Sequence, residues 1–134
     1  MEIQIATGAI HHIRLTVTDV ERAQRFYTGL LGFQLAMELP TGVILSNGTT
    51  LLGLRAIPTQ NPAKSQDRFD EDRVGLDHLS FSVNGKADLE QALRLFDEQG
   101  IPHGEITDLP PFGIYILVFR DPDNFQLELT ATYG

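Results

Sequence analysis

The chain has 134 residues and no cysteine, and its 10 basic and 18 acidic side chains give a formal net charge of −8. A chain of this length normally forms one domain of about 100–150 residues, and the lack of cysteine excludes disulfide and thiolate–zinc scaffolds. The negative charge disfavours nucleic acids and anionic membrane surfaces, and no apolar run approaches the roughly 20 residues of a membrane span. We therefore expect residues 1–134 to form a single soluble, cytoplasmic domain with neither a nucleic-acid nor a membrane partner.

An internal repeat divides the chain, which is the first feature to look for in a sequence. The segments GAIHHIRLTV (residues 8–17) and GLDHLSFSV (residues 75–83) both begin with glycine and alternate apolar with polar residues. His12 and His78 occupy equivalent places in the two segments. The repeat predicts two modules, residues 8–56 and 75–132, joined by a connecting loop at residues 57–74.

Each module predicts the element order β-α-β-β-β. In the first, Thr18 and Glu21 have the spacing of a capping box, and Gly32 is a typical helix C-cap. The extended segments FQLAMEL, GVILS and TTLLGLRA follow. In the second, Asp88 marks the start of the helix and Gly100 its end, and the extended segments are IPHGEI, GIYILVF and FQLELTAT. Because neither module closes a core alone, the predicted class is α+β with paired modules.

Three side chains with metal-binding chemistry share the polar rows of the predicted strands. Strand residues alternate between the two faces of a sheet, so His12, His78 and Glu128 fall opposite the apolar rows that pack on the helices. A solvated sheet face explains any one of them. Together they form the set of two imidazoles and one carboxylate that holds a divalent metal and leaves positions open for substrate.

The phrases IHHIRLTVTDVERAQRFYTGLLGFQL and VFRDPDNFQLELT resemble the opening and closing signatures of the vicinal oxygen chelate superfamily. This superfamily includes glyoxalase I, bleomycin-resistance and fosfomycin-resistance proteins, and extradiol dioxygenases. The resemblance implies two βαβββ modules that form a curved sheet with helices on its outer face. It also implies a divalent metal ion (Mn, Fe, Ni, Co or Zn) held by His12, His78 and Glu128, a small-molecule substrate that chelates the metal through neighbouring oxygens, and a homodimer.

The chain departs from two of these subfamilies. The additional Glu or Gln ligand of glyoxalase I would fall at Leu52 or Gly53, and the tyrosine of extradiol dioxygenases would fall at Val118. Four-ligand glyoxalase I and extradiol ring cleavage are therefore disfavoured, which leaves a metal-dependent lyase, isomerase, transferase or dioxygenase of another kind. The alternative is a metal-free small-molecule binding protein of the bleomycin-resistance type. A third option is a protein that keeps the ligands without turning anything over.

Four further residues are candidates for the site. Tyr115, on the strand before the DPD turn, is the candidate catalytic group, and an interior tyrosine with a satisfied hydroxyl is the alternative. Arg14, two residues past His12 on the same row, suits a substrate carboxylate or a surface ion pair. His103 and Glu105 are candidates for lining the mouth of the cavity, and a solvated start of a strand explains them equally well.

Other residues bear on local structure. His11 falls on the apolar row of the first strand and is expected in the core. Asn124 stands where the superfamily usually has glycine, which is a mild change because asparagine tolerates a left-handed turn. The loop residues Arg68, Phe69, Asp70 and Arg73 combine an aromatic ring with both charges, a composition that suits a lid or a solvated linker.

Overall fold

The computed structural model describes residues 3–58 and 66–134. The chain divides into two compact units, Met1–Gln66 and Asp67–Gly134. Residues 59–65 of the predicted connecting loop lie outside the described residues, whereas residues 67–74 belong to the second unit. None of the helices in the described ranges has the length and apolar character needed to cross a membrane.

The first unit is a four-stranded mixed sheet with one helix. Its elements are β1 (His12–Val17), α1 (Val20–Leu31), β2 (Gln34–Leu39), β3 (Gly42–Ser46) and β4 (Leu51–Ala56). The strand order is β1-β4-β3-β2, in which β1 runs parallel to β4 and the other neighbours are antiparallel. The predicted order β-α-β-β-β is confirmed.

Helix α1 begins one residue later than the predicted capping box implies. Asp19 is the N-cap, and its Oδ1 accepts the backbone N–H of Arg22 at 3.1 Å. The hydroxyl of Thr18 instead accepts from the guanidinium of Arg22 at 2.8 Å. Both residue types cap helices well, so composition alone did not separate them. Gly32 ends the helix in the left-handed conformation at φ 74°, as predicted.

The second unit repeats this arrangement. Its elements are β5 (Leu79–Ser82), α2 (Lys86–Gln99), β6 (Thr107–Leu109), β7 (Ile114–Arg120) and β8 (Gln126–Thr132). The strand order is β5-β8-β7-β6, with β5 parallel to β8 and the other neighbours antiparallel. Two four-stranded mixed sheets, each with a helix, are the α+β fold that the repeat predicts.

Two predicted boundaries in the second unit are wrong. Helix α2 begins two residues before Asp88, because Gly85 is the N-cap and the Asp88 carboxylate accepts its backbone N–H at 3.0 Å. The predicted strand IPHGEI is not a strand of the sheet. His103 forms an isolated bridge with Phe119, and β6 starts only at Thr107. Proline and glycine at positions 102 and 104 weaken strand pairing, which accounts for the shift.

Each sheet turns one row of side chains toward its helix and the other row away from it. The row that packs with the helix is apolar and buried, as the alternation predicts; it comprises Leu15, Val17, Val43, Leu45, Leu52 and Leu54 in the first unit, and Leu117, Phe119, Leu127 and Leu129 in the second. The candidate residues on β1 and β8 belong to the opposite rows.

The turn between β7 and β8 sets the register of β8. The Oδ1 atom of Asp121 accepts the backbone N–H groups of Asp123 and Phe125, both at 2.9 Å. Asn124 adopts φ 69°, as expected for an asparagine at a glycine position. With this turn fixed, Glu128 pairs with Val118 and lies on the face away from α2.

The loop before β5 is anchored to the second unit near this turn. The ring of Phe69 lies 4.7 Å from that of Phe125, and Arg120 makes two hydrogen bonds of 2.8 Å to the carboxylate of Glu71. The bonds from Arg120 lower the pKa of Glu71 to about 2. The sequence left a lid and a solvated linker as interpretations of this loop. Phe69 and Glu71 do not fit a solvated linker, because both contact the second unit.

Candidate metal centre

His78 and Glu128 lie together on one face of the second unit. His78 directly precedes β5, and Glu128 is in the middle of β8, the parallel neighbour of β5. The Nε2 atom of His78 is 3.4 Å from the Oε2 atom of Glu128, and their side chains are 37% and 13% exposed. The second unit thus brings together two of the three predicted ligands.

The separation of these two atoms suits a shared cation. Ligand atoms about 2.1 Å from one ion and about 90–110° apart lie roughly 3.0–3.4 Å from each other. The 3.4 Å between Nε2 and Oε2 falls within this range. An imidazole nitrogen and a carboxylate oxygen are also ligands that first-row divalent metals accept. The pair therefore fits the metal that the superfamily resemblance implies.

Asp77 orients the imidazole of His78. The Nδ1 atom of His78 lies 2.7 Å from Oδ1 of Asp77. The side-chain amide of Gln126 donates to the same Oδ1 at 3.1 Å and to the Asp77 carbonyl at 3.0 Å. Because a carboxylate is an acceptor, this contact favours the tautomer with the proton on Nδ1, which leaves the lone pair of Nε2 available to a metal. This arrangement is the usual one behind a metal-ligating histidine.

Neither of these two supporting residues, Asp77 and Gln126, was predicted from the sequence. Two sequence features could have indicated support for His78. Asp77 directly precedes the histidine in GLDHLSF, and Gln126 is in the same row of its strand as Glu128. Neither was distinctive, because acids next to histidines are common. The contact depends on the parallel pairing of β5 and β8, which joins residues about 50 positions apart.

The third predicted ligand, His12, is in the first unit. It begins β1 and is exposed, and its Nδ1 atom lies 3.0 Å from Nδ1 of His11. The expectation that His11 is in the core is wrong, because His11 is exposed and β1 starts only at His12, so the alternation does not extend to it. Among residues 3–58 and 66–134, no group of three or more acidic or histidine side chains is placed to hold a metal ion. The role of His12 as a ligand stays a prediction.

A cavity of about 340 Å³ opens beside His12 within the first unit. Its lining combines imidazole and guanidinium groups with apolar side chains, and comprises His11, His12, Arg14, Leu39, Ile44, Leu51 and Gly53. The guanidinium of Arg14 donates to the hydroxyl of Thr41 at 3.2 Å. The candidate ligand and the candidate substrate-binding residue of the first unit therefore share one cavity.

Tyr115 lies on the face of its sheet opposite to the one that carries Glu128. It pairs with Ala131, which is an odd number of positions from Glu128 on β8 and so points to the opposite face. Its ring contacts that of Tyr133 at 5.0 Å, and Nζ of Lys86 lies 5.0 Å from the ring centroid. The placement argues against Tyr115 as a proton-transfer group beside Glu128.

His103 is bonded to the C-terminal end of α2. Its Nε2 lies 2.6 Å from Oδ1 of Asp97, and its Nδ1 lies 2.6 Å from the carbonyl oxygen of Gly104. Both nitrogens face acceptors, and the hydrogen bond to Gly104 and that to Asp97 raise the pKa of His103. These bonds and the ring contact with Phe96 make His103 a structural group of the helix side. Glu105 is exposed just before β6, and its role at a cavity mouth stays a prediction.

Comparisons with known proteins cover nearly the whole chain. The model of the Glyoxalase/Bleomycin resistance protein/Dioxygenase superfamily matches residues 9–129. The uncharacterized protein YwkD of Bacillus subtilis (strain 168) is 34% identical over 128 residues, which are 90% of this chain and 94% of YwkD.

Solved structures give the same result. A glyoxylase/bleomycin resistance protein/dioxygenase domain from Frankia sp. EAN1pec superposes with a TM-score of 0.79 at 31% identity, covering 95% of this chain and 93% of that domain. Lactoylglutathione lyase from Agrobacterium tumefaciens has the same fold, with a TM-score of 0.71 at 24% identity, and the match covers 93% and 94% of the two chains.

Proposed function

The chain belongs to the Glyoxalase/Bleomycin resistance protein/Dioxygenase superfamily, and on this premise we propose that it is a metal-dependent enzyme acting on a small molecule with two neighbouring oxygen atoms. The proposed ligands are His12, His78 and Glu128. One observation carries the proposal: the donor atoms of His78 and Glu128 lie 3.4 Å apart while Asp77 accepts from the far side of the imidazole. When bound, a divalent ion supplies Lewis-acid polarisation of the substrate oxygens.

The residues around the proposed ligands give this face polar groups that suit a polar substrate. Glu128 supplies the negative charge of the ligand set from the middle of a paired strand, which fixes its backbone. Ser80, its neighbour on β5, is hydrogen-bonded through its hydroxyl to that of Thr130. These two hydroxyls offer hydrogen bonds to a substrate bound next to Glu128.

The superfamily includes lyases, transferases and dioxygenases, and Val118 narrows the choice. Val118 pairs with Glu128 across β7 and β8, so an apolar side chain lies beside the proposed ligand. A valine neither donates nor accepts a proton, and extradiol ring cleavage lacks its acid–base group there. We favour a lyase, isomerase or transferase reaction.

The ligand set draws on both units of the chain, since His12 belongs to the first unit and the other two ligands to the second. The superfamily resemblance implies cavities that two chains build together. We therefore propose a homodimer in which each site takes His12 from one chain and the remaining ligands from the other. Light scattering at micromolar concentration should give the mass of a dimer, and a monomer there contradicts the shared site.

A metal-free small-molecule binding protein is the second candidate function. The cavity of about 340 Å³ beside His12 favours it, because Leu39, Ile44 and Leu51 are in its walls. Pockets that bind small ligands typically measure about 300–1,000 Å³ and are mostly apolar. Such a protein would hold an apolar compound without altering it and would bind it equally well after metal removal.

Metal analysis of protein purified without chelator tests the leading proposal. We expect a stoichiometric divalent ion in the wild type and its loss in His78→Ala and in Glu128→Gln. His103→Gln is the matched control, because His103 is in the same unit but bonded to Asp97, and this variant should keep the ion. If folded wild-type protein takes up none of Mn, Fe, Ni, Co and Zn, the proposal is wrong and the second candidate gains support.

A further inference from the structure

The sheet face that carries His12 is positively charged, whereas the chain as a whole is negatively charged. The strand register places Arg14 of β1 beside Gly53 of β4, and Arg55 is on the same face two residues farther along β4. The structure describes β1–β4 completely, and no acidic residue of these strands is on this face. The other side chains there are uncharged or imidazole: His12, Thr16, Gln34, Met37, Leu39, Ile44, Ser46 and Leu51. In a chain of net charge −8, such a face favours an anionic ligand.

Both arginines retain N–H donors for an external acceptor. The guanidinium of Arg14 bonds to Thr41 through one nitrogen, and that of Arg55 bonds to the Ala56 carbonyl through Nε at 3.3 Å. Each guanidinium carries five N–H donors. Within the described part of the chain, neither arginine pairs with a carboxylate. No described residue is therefore an ion-pair partner of Arg14, so the surface ion pair considered from the sequence is not formed among them.

Gly53 provides the space in which the Arg14 side chain lies. A Cβ atom added at Gly53 would be 3.0 Å from Cγ of Arg14 and 3.5 Å from its Cβ. The first distance is shorter than a normal carbon–carbon contact, so any larger residue at position 53 must displace the arginine stem. The absence of a side chain at position 53 thus leaves room for the Arg14 stem where it crosses β4.

Two cavities of the first unit have Arg14 in their linings. The cavity of about 340 Å³ extends from His12 along apolar walls to Arg14. A second cavity of about 520 Å³ continues from Arg14 to Arg55, with Thr41 in its lining. A ligand that occupies both contacts the imidazole and apolar walls of the first cavity, the guanidinium of Arg14 where the linings overlap, and the guanidinium of Arg55 in the second.

We propose that the small molecule bound here is an organic anion whose carboxylate binds Arg14 and Arg55. This inference rests on the proposed function for the other end of the substrate, where the neighbouring oxygens lie next to His12. The apolar middle of the molecule lies against Ile44 and Leu51. Arg14 is then a specificity-determining residue, because a guanidinium–carboxylate pair is charge-assisted and directional and a neutral analogue cannot form it.

The test compares two probes of equal chain length, octanoate and 1-octanol, on full-length protein treated with chelator. NMR follows the methyl signals of Ile44 and Leu51 and the Nε signal of Arg14. We expect octanoate to shift all three signals and to bind at least about fivefold more tightly than 1-octanol. The preference should disappear in Arg14→Gln. Arg25→Gln, which removes the same charge from an exposed position on α1, should retain it.

A second variant separates position from charge. Gly53→Ala keeps every charged group but pushes the stem of Arg14 by a few tenths of an ångström, so it should weaken octanoate binding more than 1-octanol binding. Equal affinity of the wild type for the two probes, or octanoate binding that survives Arg14→Gln, would overturn the proposal. Octanoate binding is measured on metal-free protein, so its result does not depend on metal binding. If the metal analysis finds no uptake but octanoate still binds through Arg14, the anion site is supported and the metal-dependent function is not.

Discussion

The carboxylate of Asp77 lies behind the imidazole of His78, with 2.7 Å between Oδ1 and Nδ1. The opposite ring nitrogen faces Glu128 at 3.4 Å. Asp77, on the far side of the ring, thus orients the imidazole of a proposed metal ligand.

Removing this support should weaken metal binding. We expect Asp77→Ala to reduce metal affinity about 10- to 100-fold, because the His78 ring loses its orienting acceptor and its basicity falls. Competition against a chromophoric chelator measures the change. Asp72→Ala, which removes an exposed acid of the same loop, should leave the affinity unchanged. An Asp77→Ala protein with wild-type affinity would show that the contact is incidental.

Mixing two inactive variants tests the shared site. Neither His12→Ala nor His78→Ala alone should bind metal. In a mixed dimer, however, the first chain still supplies His78 and Glu128 and the second still supplies His12, so one of the two sites is intact. If subunits exchange at random, the mixture should recover about one ion per four chains. A mixture that exchanges subunits but recovers no metal would place each site within a single chain.

His103 should make stability depend on pH near neutrality. Its hydrogen bonds to Gly104 and Asp97 raise its folded-state pKa above the ordinary value of 6.5. Its contribution to the free energy of unfolding is therefore complete below about pH 6.5 and is lost as the pH rises through the higher folded-state pKa. Urea unfolding of the wild type and of His103→Gln should show a stability difference that shrinks from pH 6 to pH 9. A difference that stays constant over this range would mean that the imidazolium contributes nothing.

Glu71 should make the protein less stable as the pH falls in the acid range. Its pKa is about 2 in the folded protein because of the bonds from Arg120, against an ordinary value of 4.5. Its contribution is present above pH 4.5 and is lost as the pH falls toward 2. The stability difference between wild type and Glu71→Gln should thus narrow over this interval, and added salt should reduce it at pH 6 because the pair is near solvent. A salt-independent difference would assign the effect to packing.

The residues of each module were enough to predict its order of helix and strands. Gly32 and Gly100 end the two helices at the predicted places, because a left-handed C-cap is a local property of glycine. The face of β8 that carries Glu128 was also predicted correctly. Apolar and polar residues alternate so clearly along β8 that only one register buries the apolar row. Local patterns of this kind need no knowledge of distant contacts.

The face on which Tyr115 lies could not be predicted, because its strand carries no such pattern. In GIYILVF both rows are apolar, and periodicity cannot identify the buried face of such a strand. The face of Tyr115 is set by its pairing with Ala131 on β8, which is a tertiary contact. The support from Asp77 escaped prediction for a related reason: the amide of Gln126 that holds it belongs to a strand far along the chain.

The hairpin around Asp121 and Asn124 couples the candidate ligand to the hydrophobic core. Because side chains alternate along β8, inserting or deleting one residue in that turn would move Glu128 toward α2 and would bring Leu127 and Leu129 out to the open face. A carboxylate would then be buried without a partner in the same step that exposes the core. We therefore expect a one-residue insertion or deletion within residues 121–124 to lower the stability of the fold and, on the proposed function, to abolish metal binding in the same step.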